Sequence, residues 1–87
     1  MVGTVNYYYH YNQGQSVPSK FKPNSVIKKI VGGYVVSERY YNKGEAYLDI
    51  HYTCYGNPKT HPVVPHIHRW SKDENGVLKP GKWEDFQ

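Results

Sequence analysis

Three of the five histidines in this 87-residue chain, His61, His66 and His68, fall within eight positions, among prolines and beside Lys59 and Arg69. Imidazole titrates near neutrality, so such a cluster suits proton exchange or metal ligation. Metal-independent RNA cleavage needs a base for the 2′-OH proton, an acid for the leaving oxygen and a cation for the phosphorane. His61, His66 and His68, with His51 upstream, are the acid–base candidates. Lys59, Arg69 and Arg39 are the phosphate-facing candidates, and Trp70 offers a stacking surface for an unpaired base. A single histidine in a proline-rich loop more often hydrogen-bonds backbone. The clustering with cations is what points to chemistry.

Two rival chemistries use the same residues. A metal site could draw on His61, His66, His68 and Cys54. Residues two apart on a strand are ~7 Å apart, wide for two ligands of one ion. Structural zinc sites usually take four ligands, often thiolates, and this chain has one Cys. Cys54 as a nucleophile needs a neighbouring base, and His51 is three residues away, but a lone cysteine is more often packing filler. The residues therefore favour a metal-free site with no cofactor.

Proline restricts its own φ and biases the residue before it toward extended backbone, so the histidine segment should be a stiff loop or edge, not a helix. The elements that must position it are β-rich. Tyr34 to Tyr41 and Ala46 to Thr53 flank Asn42-Lys43-Gly44-Glu45, a hairpin signature with Gly44 at positive φ. A three-residue loop would set Tyr40 against Ala46 and Val36 against Ile50. Ala46, Leu48 and Ile50 would then lie on one face, with Asp49 and His51 on the other beside Ser37 and Arg39. A register shifted by one sets Glu38 against Asp49 and is disfavoured by like charge. Val5 to Tyr11 has strand propensity, and Val26 to Ile30 reads as a strand or a single turn. Asp73-Glu74-Asn75-Gly76 is a turn before a short return strand at Val77-Leu78, and Lys79-Pro80-Gly81-Lys82 should break structure again.

The fold class expected is α+β: a small β-rich single domain, an antiparallel sheet built around the hairpin, with at most one short helix. One domain is all that this length supports. A single Cys excludes an internal disulfide. No apolar run reaches the ~20 residues that span a bilayer, and no signal peptide is visible, so neither membrane insertion nor classical export is expected. Eleven Lys and Arg against seven Asp and Glu give a net charge of +4, which favours an anionic partner such as RNA.

Residues 23–82 resemble the C-terminal toxin modules of bacterial polymorphic toxin systems, with residues 1–22 a variable tyrosine-rich segment outside the likeness. The resemblance is carried by Glu38-Arg39-Tyr40-Tyr41-Asn42-Lys43-Gly44 and Tyr47-Leu48-Asp49-Ile50-His51-Tyr52-Thr53. It continues in Gly56-Asn57-Pro58-Lys59-Thr60-His61-Pro62 and Val64-Pro65-His66-Ile67-His68-Arg69-Trp70. Such modules are often small RNases, some with a barnase-like or RelE-like sheet. The resemblance implies an endoribonuclease-type toxin domain or a stand-alone homologue, acting in the cytoplasm after delivery by a specialised secretion route. It also implies an acidic immunity protein as inhibitor. The chain departs from the pattern at Cys54-Tyr55, where such modules carry Asp or Asn followed by His. A non-catalytic RNA- or protein-binding module and a histidine-cluster metal-binding protein are the alternatives.

Overall fold

Val, Ile and Tyr dominate the regular segments, and β-branched and aromatic side chains fit a pleated sheet better than a helix. The computed structural model describes residues 3–52 and 65–85 and follows that preference throughout. Six strands form one sheet in sequence order: β1 Val5–His10, β2 Ser25–Val31, β3 Tyr34–Asn42, β4 Glu45–His51, β5 His66–Lys72 and β6 Leu78–Asp85. β1 and β2 are parallel and every other neighbouring pair is antiparallel. The expected α+β class and purely antiparallel sheet are thus corrected to a mixed, nearly all-β domain. Among the described residues the helical content is one 3₁₀ turn at Tyr11–Gln13, and none is long and apolar enough to cross a membrane.

The parallel pair is the feature that sequence patterning missed. Parallel neighbours need a crossover of a dozen or more residues, usually a helix. Here the 3₁₀ turn and the irregular chain after it cross one face, and two backbone hydrogen bonds tie this segment to the β3–β4 hairpin. Phe21 N–H donates to the Gly44 carbonyl at 3.0 Å, and Ala46 N–H donates to the Ser19 carbonyl at 2.9 Å. The crossover drops Phe21 onto the sheet, where its ring meets Tyr7 edge-on at 4.9 Å and Tyr41 at 5.5 Å. Ile27, Tyr41 and Ala46 are buried beneath it, with Tyr9, Val17, Trp70 and Leu78 packed around them.

The hairpin turn is tighter than expected. Asn42 pairs with Glu45, leaving Lys43 (φ 54°) and Gly44 (φ 83°) as a two-residue loop with both residues in the left-handed region. That turn type matches the right-handed twist of the strands, which outweighs the strain at Lys43. A bulge at Tyr47 follows, because Tyr41 pairs with Ala46 while Tyr40 pairs with Leu48. The bulge moves Ala46 onto the same face as Asp49, against expectation. Leu48 and Ile50 stay on the opposite face, and Arg39 falls directly opposite Asp49. Neither register considered from sequence made that pairing.

β5 and β6 also differ from expectation. His66 and His68 lie on β5, an interior strand, not on a loop or edge. Lys79-Pro80-Gly81-Lys82 continues β6 instead of breaking it. Pro80 is tolerated because β6 is an edge strand, and Gly81 sits at a bulge where a Cβ would lie 2.9 Å from the Arg69 carbonyl oxygen.

On the face opposite His51, Glu38 is only 8% exposed. It accepts hydrogen bonds from Tyr52 Oη at 2.7 Å and Tyr40 Oη at 3.0 Å, and pairs with Lys28 Nζ at 3.3 Å. Burial works to raise its pKa, but Tyr52, Tyr40 and Lys28 outweigh burial and hold it below the usual 4.5. Burial and the same carboxylate push Tyr40 up to about 12. A depressed folded-state pKa means the unfolded chain binds the proton more readily. Glu38 therefore contributes stability above its unfolded pKa, and that stability is lost as pH falls through the folded pKa. Glu38→Gln is expected to destabilise the domain by about 1–3 kcal/mol at pH 7, with the gap to the parent closing below pH 4. Urea unfolding across that range is the check; a gap unchanged at pH 3 would contradict the assignment.

Candidate functional site

The face that carries the aromatic core at its hairpin end becomes polar toward the other end. Strand alternation puts Ser37, Arg39, Asp49, His51, His66 and His68 there together. Cross-strand pairing aligns His51 with His66 and Asp49 with His68. The three imidazole rings are 4.9, 5.0 and 5.1 Å apart between centroids. One ligating nitrogen from each of His51, His66 and His68 lies within 4.8 Å of the other two. The strand spacing of His66 and His68 argued against a shared ion when read as backbone geometry. The rings lean toward one another and close that gap.

The surroundings orient these rings. His68 Nδ1 is 2.9 Å from the Gly81 carbonyl oxygen, an acceptor only, so Nδ1 carries the proton and Nε2 is left as a lone-pair donor. Asp49 Oδ2 stands 3.9 Å from His51 Nε2. Asp49 is itself 4% exposed and gripped by Arg39, with Nε to Oδ1 at 2.8 Å and Nη2 to Oδ2 at 3.0 Å. Burial alone would raise the Asp49 pKa; His51, Arg39 and Trp70 outweigh it and hold the carboxyl below its ordinary value. Asp49 is therefore an anion at neutral pH. His66 is 1% exposed and meets the Trp83 ring at 6.4 Å, while Asp85 lies opposite it in register.

The candidates named from sequence separate into three groups. His51, His66 and His68 converge. His61 and Lys59, with Cys54, lie outside the described residues. Arg39, Arg69 and Trp70 are engaged with other groups. Arg69 alternates to the opposite face, where its Nε pairs with Glu84 at 3.2 Å. Arg39 is bound to Asp49, donates Nη1 to the Val17 carbonyl at 2.8 Å and lies over the Trp70 ring at 4.6 Å. Trp70 is thus a half-buried side chain packed against the core, with the Arg39 guanidinium over its ring.

Sequence reasoning placed Asp49 beside His51 but missed the Arg39–Asp49 pair, the Gly81 carbonyl and the neighbouring cavity of about 380 Å³ beneath the crossover. The first of these had a signal, since opposite charges attract across a hairpin. The other two depend on chain distant in sequence.

Compared with models of protein families, with curated proteins and with solved structures, the chain matches none.

Proposed function

We propose that this chain is a small RNA-cleaving domain of the toxin type whose working centre is a divalent metal ion held by His51, His66 and His68. The observation that carries the reading is the convergence of those three imidazole nitrogens within 4.8 Å beside an ionised, buried Asp49. Three protein nitrogens with an open fourth position are the ligand set of catalytic zinc sites. Asp49 Oδ2, 3.9 Å from His51 Nε2, is placed to orient and polarise a ligating imidazole. The metal would supply the Lewis acid that Lys59, Arg69 and Arg39 were expected to provide, and would activate a water near neutral pH. RNA as substrate rests on the sequence resemblance and the net charge of +4. An acidic inhibitor protein fits the same charge.

The test is titration of the metal-free protein with cobalt or zinc, followed by RNA cleavage with and without chelator. One ion per chain should bind, giving the visible spectrum of tetrahedral cobalt. Cleavage should stop in EDTA and return with zinc. Absence of stoichiometric binding would refute the metal centre.

A metal-free acid–base mechanism is the second reading, favoured by rings close enough to act on one ribose phosphate in opposite protonation states. It requires cleavage that survives EDTA, leaves a 2′,3′-cyclic phosphate and has a bell-shaped pH profile.

A further inference from the structure

We infer that the cavity between the crossover and the sheet is a subsite for one nucleotide of the RNA, seated beside the histidine centre. This rests on the reading of that centre as an RNA-cleaving site. The cavity has about 380 Å³, inside the range of small-ligand sites and large enough for a base with its sugar phosphate. Its roof is the segment from Tyr11 to Val17, and its floor includes Lys29 and Ser37. Its far wall is Asp49 and His51, so it opens directly onto the centre.

The lining has the groups a nucleotide needs. Tyr11 closes the 3₁₀ turn that Gly14 terminates at φ 69°, and the turn holds the ring at the mouth, 63% exposed. Lys29 Nζ lies 5.3 Å from the centre of that ring. The ammonium thus lies over one face of the ring, so a base would stack on the other face of this exposed ring while the ammonium reaches its phosphate. Lys29 forms no ion pair among the described residues, whereas Arg39, the other lining cation, is spent on Asp49 and the crossover carbonyls. Gln15 accepts the His10 N–H through Oε1 at 2.8 Å, which leaves its amide NH₂ to donate to a base edge or ribose. Ser37 adds a hydroxyl. Neither Tyr11 nor Lys29 belongs to the histidine cluster or the aromatic core.

Nuclear magnetic resonance titration of the full chain with uridine monophosphate, adenosine monophosphate, the matching nucleosides and inorganic phosphate tests the subsite without requiring cleavage. A nucleotide should shift the amides of Tyr11, Lys29 and Ser37 and bind at least ~10-fold more tightly than nucleoside or inorganic phosphate alone, since base and phosphate each contribute. The Tyr11→Ala/Lys29→Gln variant should lose that binding and raise KM for RNA at least ~10-fold with little change in kcat, while cobalt affinity stays that of the parent. Phosphate binding as tightly as the nucleotide, or a double variant that binds nucleotide normally, would overturn the subsite. Loss of cobalt binding in the parent would instead strike the metal centre, and the nucleotide titration would still decide the cavity.

Discussion

Zinc or cobalt at ~100 times its dissociation constant is expected to raise the parent's melting temperature by on the order of 10 °C, and to leave that of His68→Ala unmoved. The rise follows from linkage, because an ion that binds only the folded chain at that excess contributes about 2.7 kcal/mol. His68 is the informative ligand to remove. It is half-buried, whereas His66 is 1% exposed and its truncation would leave a cavity that confuses folding with ligation. Losing even a hydrogen-bond partner of a metal ligand costs ~10–100-fold in affinity, so losing one of three ligands should exceed that. RNA cleavage should fall with it. Differential scanning calorimetry with and without metal is the measurement. A His68→Ala protein that gains as much from zinc as its parent would exclude His68 from the site.

Arg39→Met should destabilise the domain by about 3–5 kcal/mol, the cost of stranding one member of a buried ion pair. A domain of this length has roughly 4–13 kcal/mol in all, so the variant stands near the edge of folding. Asp49 at 4% exposure would keep a charge with no guanidinium against it. The same substitution removes the donor to Val17 O and Pro18 O that pins the crossover, and the cation over Trp70. Adding Asp49→Leu should recover much of the loss, because two apolar side chains there strand no charge. Urea unfolding of the single and double variants decides this. A cost under about 1 kcal/mol for Arg39→Met would mean the pair is solvated after all.

The two expectations have one origin. The Arg39–Asp49 pair holds the carboxylate that faces His51, and the orientation of the His68 ring depends on backbone supplied by β6 through Gly81. Scaffold and site are therefore coupled, and a variant at Arg39 should weaken metal binding as well as folding.

Local patterning in the sequence determined the hairpin strands β3 and β4 and the place of the turn between them, but not β5, expected as a loop or edge, nor the length of β6. The alternation in β4 separates Asp49 and His51 from Leu48 and Ile50 whatever the register, because the side-chain period is two. The positive φ of Gly44 was equally legible, since Asn-Lys-Gly-Glu between β-rich runs leaves few other turns. The presence of three nearby histidines was legible in the sequence, as was Asp49 two residues before His51.

Which histidines meet was decided by tertiary structure. His51 joins His66 because β4 and β5 pair in one register, and nothing within either strand specifies that register. Arg39 and Arg69 looked equivalent as cations, yet pairing across the hairpin committed one to Asp49 and alternation turned the other to the far face. The parallel β1–β2 pair and the cavity under its crossover were out of reach for the same reason. They arise from contacts between residues far apart in sequence, such as Phe21 with Gly44 and Ser19 with Ala46, whose energies a period of two does not encode. Periodicity reports which way a side chain points from its own strand; only the packed sheet determines what it points at.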